Sequence, residues 1–190
     1  MLSKILYHGT KYQYKDNILN NGFTYRERKN HWLGQGIYFF EDKDQALCWD
    51  TKGIRKVIFE VEIEVPLVEV LDLDSISGMT FFKKEVNSIL TNSDIMLEFK
   101  EEDEHTNRCF FLDIVKTINP NISLIKFTFQ LKDPKYDKRE LKQIQDKIPL
   151  GLTINQLQYC LHKNEYIKNK RIVFTEPEAI RTIFPRRKTF

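Results

Sequence analysis

"LGQGIYFFEDKDQALCWD", residues 33–50, sets two glycines two apart ahead of Ile37-Tyr38-Phe39-Phe40, then turns polar and closes on Trp49. The apolar quartet reads as a short strand over 36–40, and Asp42 is a fitting N-cap for a helix over 42–50. Gly34-x-Gly36 lacks the third glycine and the immediately following helix of a dinucleotide fingerprint, so it is no phosphate cradle of that type. A tyrosine two residues past Gly36 instead presents a flat ring beside open backbone. Trp49, across the short helix, can return to the same cleft. Two facing aromatics make a slot for one planar ring.

Upstream, Ile5-Leu6-Tyr7 reads as a strand leading into His8-Gly9-Thr10. A histidine followed by glycine at a strand end exposes an imidazole beside backbone that a ligand can approach closely. The spacing predicts a helix over 15–21 with Gly22 as its stop, then a polar, basic loop over 24–33. Downstream, "VIFEVEIEV" at 57–65 alternates apolar and acidic residues, the period of a half-buried strand, and 67–72 continues as another after Pro66. Helices are expected over 79–90, 137–147 and 153–162, with a closing helical turn over 177–183. Strands are expected over 122–131 and 172–174, and 100–104 is a solvent loop. Periodicity does not separate strand from buried helix over 110–118. No repeat, low-complexity run or linker interrupts the chain. The elements add up to one mixed, mainly antiparallel α+β domain over 1–190.

Composition narrows the function classes. Hydrophobic residues at 41% and charged residues at 30% describe a globule with a core, and a net charge of +3 is too small to argue for nucleic acid by itself. Cys48, Cys109 and Cys160 are an odd, widely spaced set without a Cys-x-x-Cys pair, which speaks for a reducing compartment and against a zinc cage. His8, His31, His105 and His162 have no metal-ligand spacing, so no metal is expected. The start is too short in apolar residues for a signal peptide, and no run reaches the roughly 18 that a membrane span needs. A cytoplasmic protein with no membrane partner is the expectation.

"LYHGT" at 6–10 and "GQGIYFFEDKDQALCW" at 34–49 together resemble the nicotinamide-binding half of the poly(ADP-ribose) polymerase-like ADP-ribosyltransferases. In that family the first motif reads His-Gly-Thr or His-Gly-Ser. The second reads Gly-x-Gly-Ile-Tyr-Phe before a short helix ending in an aromatic residue. The variant here looks closest to small bacterial toxin-type members, over residues 6–50. Singly, His8, Tyr38, Trp49 and the glycine pair read as ordinary core or turn; their joint order carries the likeness.

The resemblance implies a split β-sheet core with flanking helices and NAD+ as co-substrate. It implies mono-ADP-ribosyl transfer to a nucleic acid or protein, in a toxin-antitoxin or anti-phage system with a neutralising antitoxin. His8 would bond the adenosine ribose, Gly9 backbone would grip the nicotinamide carboxamide, and Tyr38 would stack on the ring as a catalytic-site residue. Thr10, Gly36 and Phe39 complete the two motifs around the cofactor, and Trp49 would be the second wall. Ala46 stands where many members have a serine. Arg26 or Arg28 would meet the pyrophosphate charge. The family's third residue, commonly Glu, lies on a late strand. "NEYI" at 164–167 nominates Glu165, while aligning 172–174 with that strand puts Lys170 or Arg171 in the slot; Glu176 and Gln130 are further candidates. The alternative reading is an inactive NAD+ or ADP-ribose-binding module that kept the slot and lost the third residue. An interaction domain whose aromatics are only core is a further one.

Overall fold

The computed structural model describes residues 1–29, 31–48, 55–91, 103–130 and 155–177. Trp49, the helix expected over 137–147 and all but the first residue of the turn expected over 177–183 lie outside the described residues. Seven strands form one sheet: β1 (Leu2–Lys11), β2 (Ile37–Phe40), β3 (Lys56–Val65), β4 (Val70–Asp72), β5 (Leu124–Gln130), β6 (Asn155–Leu161) and β7 (Ile167–Thr175). Four described helices accompany them: α1 (Lys15–Asn21), α2 (Lys43–Cys48), α3 (Ile76–Leu90) and α4 (Glu104–Ile118). The strand order is β4-β5-β6-β2-β1-β3-β7, and every neighbouring pair is antiparallel except β4 with β5. A mixed α+β architecture is therefore what the chain forms. No helix among the described residues is long and apolar enough to cross a membrane.

Local chemistry explains most of the boundaries. Gly22 ends α1 at φ 84°, a conformation that glycine adopts without penalty. The Asp42 carboxylate accepts from the Asp44 N–H at 2.8 Å, capping α2 as its sequence position suggests. The segment that periodicity left open is helical. Asp103 caps α4 by accepting from the N–H groups of His105 and Thr106, and Cys109, Leu112 and Val115 recur at helical spacing on its buried side.

Two expectations are corrected. Residues 155–161 are strand β6 rather than part of a helix, because the strand lies between β5 and β2 and is covered on both faces. Its outward-looking polar residues, Gln156 and Gln158, are buried, so the sequence carries no clean alternation to read. Residues 67–69 form a single 3-10 turn, and only Val70–Asp72 pairs as a strand.

The sheet is strongly curled. A flat seven-stranded sheet would hold its two edge strands roughly 28 Å apart. Here Tyr166, leading into edge strand β7, donates its hydroxyl to Glu69, leading into edge strand β4, at 2.6 Å. Ser123 donates to the same carboxylate oxygen, and Lys163 approaches it at 3.9 Å. The inner face encloses one core, in which Leu6, Phe59, Val61 and Ile63 of β1 and β3 join Ile37, Phe39, Leu124, Tyr159 and Leu161 of the other half. The outer face carries two further clusters, one under α3 and α4 and one under α2.

Candidate functional site

The two motifs meet where the halves of the sheet are joined. The pairing of β1 with β2 consists of one register pair, Tyr7 with Phe40, while β1 and β3 pair along all of β1 from Leu2 to Lys11. Past Tyr7 the strands of the two motifs diverge, so His8-Gly9-Thr10 and Ile37-Tyr38 line the walls of an opening seam. His8 lies inside β1 rather than at a strand end.

Strand alternation divides the motif residues between two faces. His8 looks into the inner core, with its ring centre 5.0 Å from that of Phe23 and 5.7 Å from that of Phe39, both edge-on. Tyr38 looks outward, packing against the core under α3 and α4, with its ring 5.5 Å from His31. The link between the motifs is thus backbone-mediated: His8 Nδ1 lies 2.7 Å from the Tyr38 carbonyl oxygen. A carbonyl can only accept, so Nδ1 carries the hydrogen and the neutral ring keeps an acceptor lone pair on Nε2. Burial holds the His8 pKa below its ordinary value, against the opposing pull of that hydrogen bond, so the ring is neutral at pH 7.

Tyr38 is fixed at its far end. Its hydroxyl donates to the Gly34 carbonyl at 2.8 Å and accepts from the Leu33 N–H at 2.6 Å. Burial pushes its pKa far above the ordinary tyrosine value, so the hydroxyl serves as an anchor and not as a base. Phe39 is fully buried and acts on the seam only through the inner core.

The glycines answer to packing. A Cβ on Gly9 would collide with the Ala46 carbonyl of α2. On Gly36 it would lie 2.9 Å from His162 Nδ1, and on Gly34, where φ is 77°, 2.7 Å from the Asp113 carboxylate. Gly9 and Gly36 thereby let α2 and β6 close on the seam from the outer face. Ala46 is itself fully buried, and Thr10 continues β1 half-buried beside Val57.

The charged candidates are dispersed. Arg26 is exposed and its guanidinium reaches the Tyr14 hydroxyl at 3.5 Å. Arg28 is exposed, and its backbone N–H donates to Gln35 Oε1 at 3.1 Å. Glu165 is exposed in the 3-10 turn ahead of β7. Its neighbour Asn164 bonds both backbone groups of Phe23, the residue against the His8 ring. Strand β7 lies beyond β1 and β3 from β2, and Arg171 on it is paired with Glu60 at 2.6 Å. Lys170 sits beside Val61 on the same strand. Glu176 accepts the Lys56 N–H at 3.0 Å, and Gln130 ends β5 exposed.

Sequence reasoning missed the strand directly beside Tyr38. On β6, Cys160 pairs with Tyr38 and Gln158 with Phe40, so Gln156, Gln158 and Cys160 share the outer face of the seam. Gln158 donates to Gln156 Oε1 at 2.8 Å, and its own Oε1 is buried without a partner among the described residues. The signal was two glutamines two apart, a strand spacing hidden inside an apparent helix. Burial pushes the Cys109 thiol up to about 11 and Cys160 higher still, so neither is a nucleophile. No family model and no curated protein matches this chain.

Proposed function

We propose that the protein is a mono-ADP-ribosyltransferase that cleaves NAD+ at the β1–β2 seam and passes ADP-ribose to a macromolecular acceptor. The observation that carries the reading is the seam itself. His-Gly-Thr and Gly-x-Gly-Ile-Tyr-Phe, 26 positions apart between His8 and Gly34, come to lie on adjoining strands joined by one register pair. The Tyr38 ring, held at its hydroxyl end on the outer face, and His8, turned to the inner face with a lone pair on Nε2, are linked there through the Tyr38 carbonyl. A curled sheet opened between its halves also supports the split-sheet architecture expected of such an enzyme.

The chemistry asks little more of the protein. Breaking the bond from nicotinamide to ribose passes through a transition state with oxocarbenium character, as in glycoside cleavage. Holding the leaving ring flat against Tyr38 and placing acceptors near the ribose favours that state over the ground state. His8 Nε2 is suited to accept from a ribose hydroxyl, and the Gly9 backbone to pair with the carboxamide. In a cell such an activity would act as a toxin, with a neutralising protein partner.

One observation favours a second reading, an NAD+ or ADP-ribose-binding module without turnover. The buried side chains of β6 that share the face of Tyr38 are two amides and a thiol, Gln156, Gln158 and Cys160, and not carboxylates. The test separates the two. Purified protein is given NAD+ labelled in its adenylate part together with cell lysate, and free nicotinamide and label transfer are followed. Release and transfer, both abolished by His8→Ala in folded protein, support the enzyme. Calorimetric binding of NAD+ without release supports the module, and neither binding nor release would sink both.

A further inference from the structure

Glu165, nominated from the sequence for its carboxylate, sits exposed between two residues that are tied down. Tyr166 donates its hydroxyl to Glu69 at 2.6 Å, and Asn164 reaches the other way, toward the inner core. The Asn164 amide accepts from the Phe23 N–H at 3.2 Å and donates to the Phe23 carbonyl at 2.8 Å, across 141 positions of sequence. One side chain thereby satisfies both backbone groups of one residue. Gly22 brings the loop alongside: it leaves α1 at φ 84°, and a Cβ there would lie 3.4 Å from Asn164 Oδ1.

What Asn164 holds is a wall beside His8. The Phe23 ring is buried and meets His8 edge-on at 5.0 Å, Phe39 at 5.6 Å and Phe59 at 5.7 Å. His8 is thus bounded by Phe23, by Phe39 at 5.7 Å and by the Tyr38 carbonyl at 2.7 Å. The two phenyl rings fix the plane of the imidazole by contact, while the carbonyl fixes which nitrogen carries the hydrogen. No charged side chain acts on the ring; burial and that carbonyl govern its titration. Phe23 itself is followed by an exposed run over 24–29, and no other hydrogen bond anchors its backbone among the described residues.

We propose that Asn164 is a positioning residue for the seam: by clasping Phe23 it holds the His8 ring in the plane that turns Nδ1 to the Tyr38 carbonyl and leaves Nε2 for a ligand hydroxyl. The turn then serves the site through the amide of Asn164 and not through the carboxylate of Glu165. As a constraint on His8 the clasp stands by itself; as a contribution to turnover it rests on the transfer reaction proposed above.

The test titrates the imidazoles by NMR on histidine-labelled protein, with His8 assigned from the signal lost in His8→Gln, and follows nicotinamide release alongside. In wild type His8 titrates below 6.5. Asn164→Ala should let water reach the ring, so its midpoint should rise toward 6.5. Nicotinamide release should fall by about ten- to a hundredfold, the scale of a small misplacement of a catalytic group. Asn164→Asp keeps the acceptor and loses the donor; it should show a smaller change in the same direction, and it stands in if the alanine variant does not fold. Tyr166→Phe cuts the other tie of the same turn and should leave both readouts at the wild-type level. An unmoved His8 titration in folded Asn164 variants overturns the proposal. An equal shift in Tyr166→Phe overturns it too, by assigning the effect to general loosening, as does a shifted His8 with undiminished release. A His8 shift as stated, in a protein whose wild type releases no nicotinamide, upholds the clasp and removes the transfer reading.

Discussion

At the β1–β2 seam the two halves of the sheet share one register pair, whereas at the rim the Glu69 carboxylate collects hydroxyl bonds from both Ser123 and Tyr166. The seam is central in the sheet yet weakly paired, and its residues are held from the sides, by α2 against Gly9 and by the Leu33 and Gly34 backbone at Tyr38. The rim is peripheral yet tied by charge-assisted hydrogen bonds, which are about twice as strong as neutral ones. The two halves of the sheet are thereby tied at the periphery as well as at the seam. The Glu69 contacts close the curl at the periphery, and the seam is left with its single register pair.

The largest effect is expected on the rim side, from acid. His162 donates its backbone N–H to the Ser123 carbonyl, and both its ring nitrogens are buried with no well-formed hydrogen bond among the described residues. Burial lowers its pKa from 6.5 to about 3. The unfolded chain then binds a proton that the folded chain refuses, so stability is full above about pH 6.5 and is lost as pH falls toward about 3, by about 1.4 kcal/mol per unit. Urea unfolding across pH 3 to 7 should show that limb, and His162→Phe should flatten it. An unchanged slope would remove His162 from the account.

At the seam, Gly9→Ala forces α2 outward and should lower stability by about 1–3 kcal/mol, read from the urea midpoint. NAD+ affinity measured on the same sample should fall with it. If stability falls while binding holds, Gly9 serves packing alone. Tyr38→Phe keeps the ring and strands the Leu33 N–H and Gly34 carbonyl, so a loss of about 1–2 kcal/mol with nearly unchanged NAD+ binding is expected. Glu69→Gln is the mildest, because an amide oxygen still accepts. Hydrogen bonds from Ser123 and Tyr166 hold the Glu69 carboxyl below its ordinary pKa. Its contribution is therefore present above the usual carboxylate range and lost as pH falls through the lowered value. The variant's thermal midpoint should drop slightly at pH 7 and converge with wild type in acid.

Much of this arrangement was legible in the sequence where a residue has one job. Gly22 stops α1, Asp42 caps α2, and the alternation of β3 declares its inner face. The meeting of the two motifs was legible as order, and the register that joins them was not, because pairing partners are a property of the whole sheet. Strand β6 was misread because a strand covered on both faces loses its alternation, and buried glutamines look like a solvent face. The glycines of 34 and 36 suggested clearance for a ligand. Their missing side chains instead make room for Asp113 and His162, which lie 79 and 126 positions along the chain in contacts no local pattern announces.

One register pair at Tyr7 and Phe40 turns the middle of this sheet into an edge. Edge strands are templates that accept another strand, and proteins ordinarily blunt them at the periphery. Here the run beyond that pair lies inside the fold, against α2 and Phe23. Amide exchange should therefore open along β1–β2 before β1–β3.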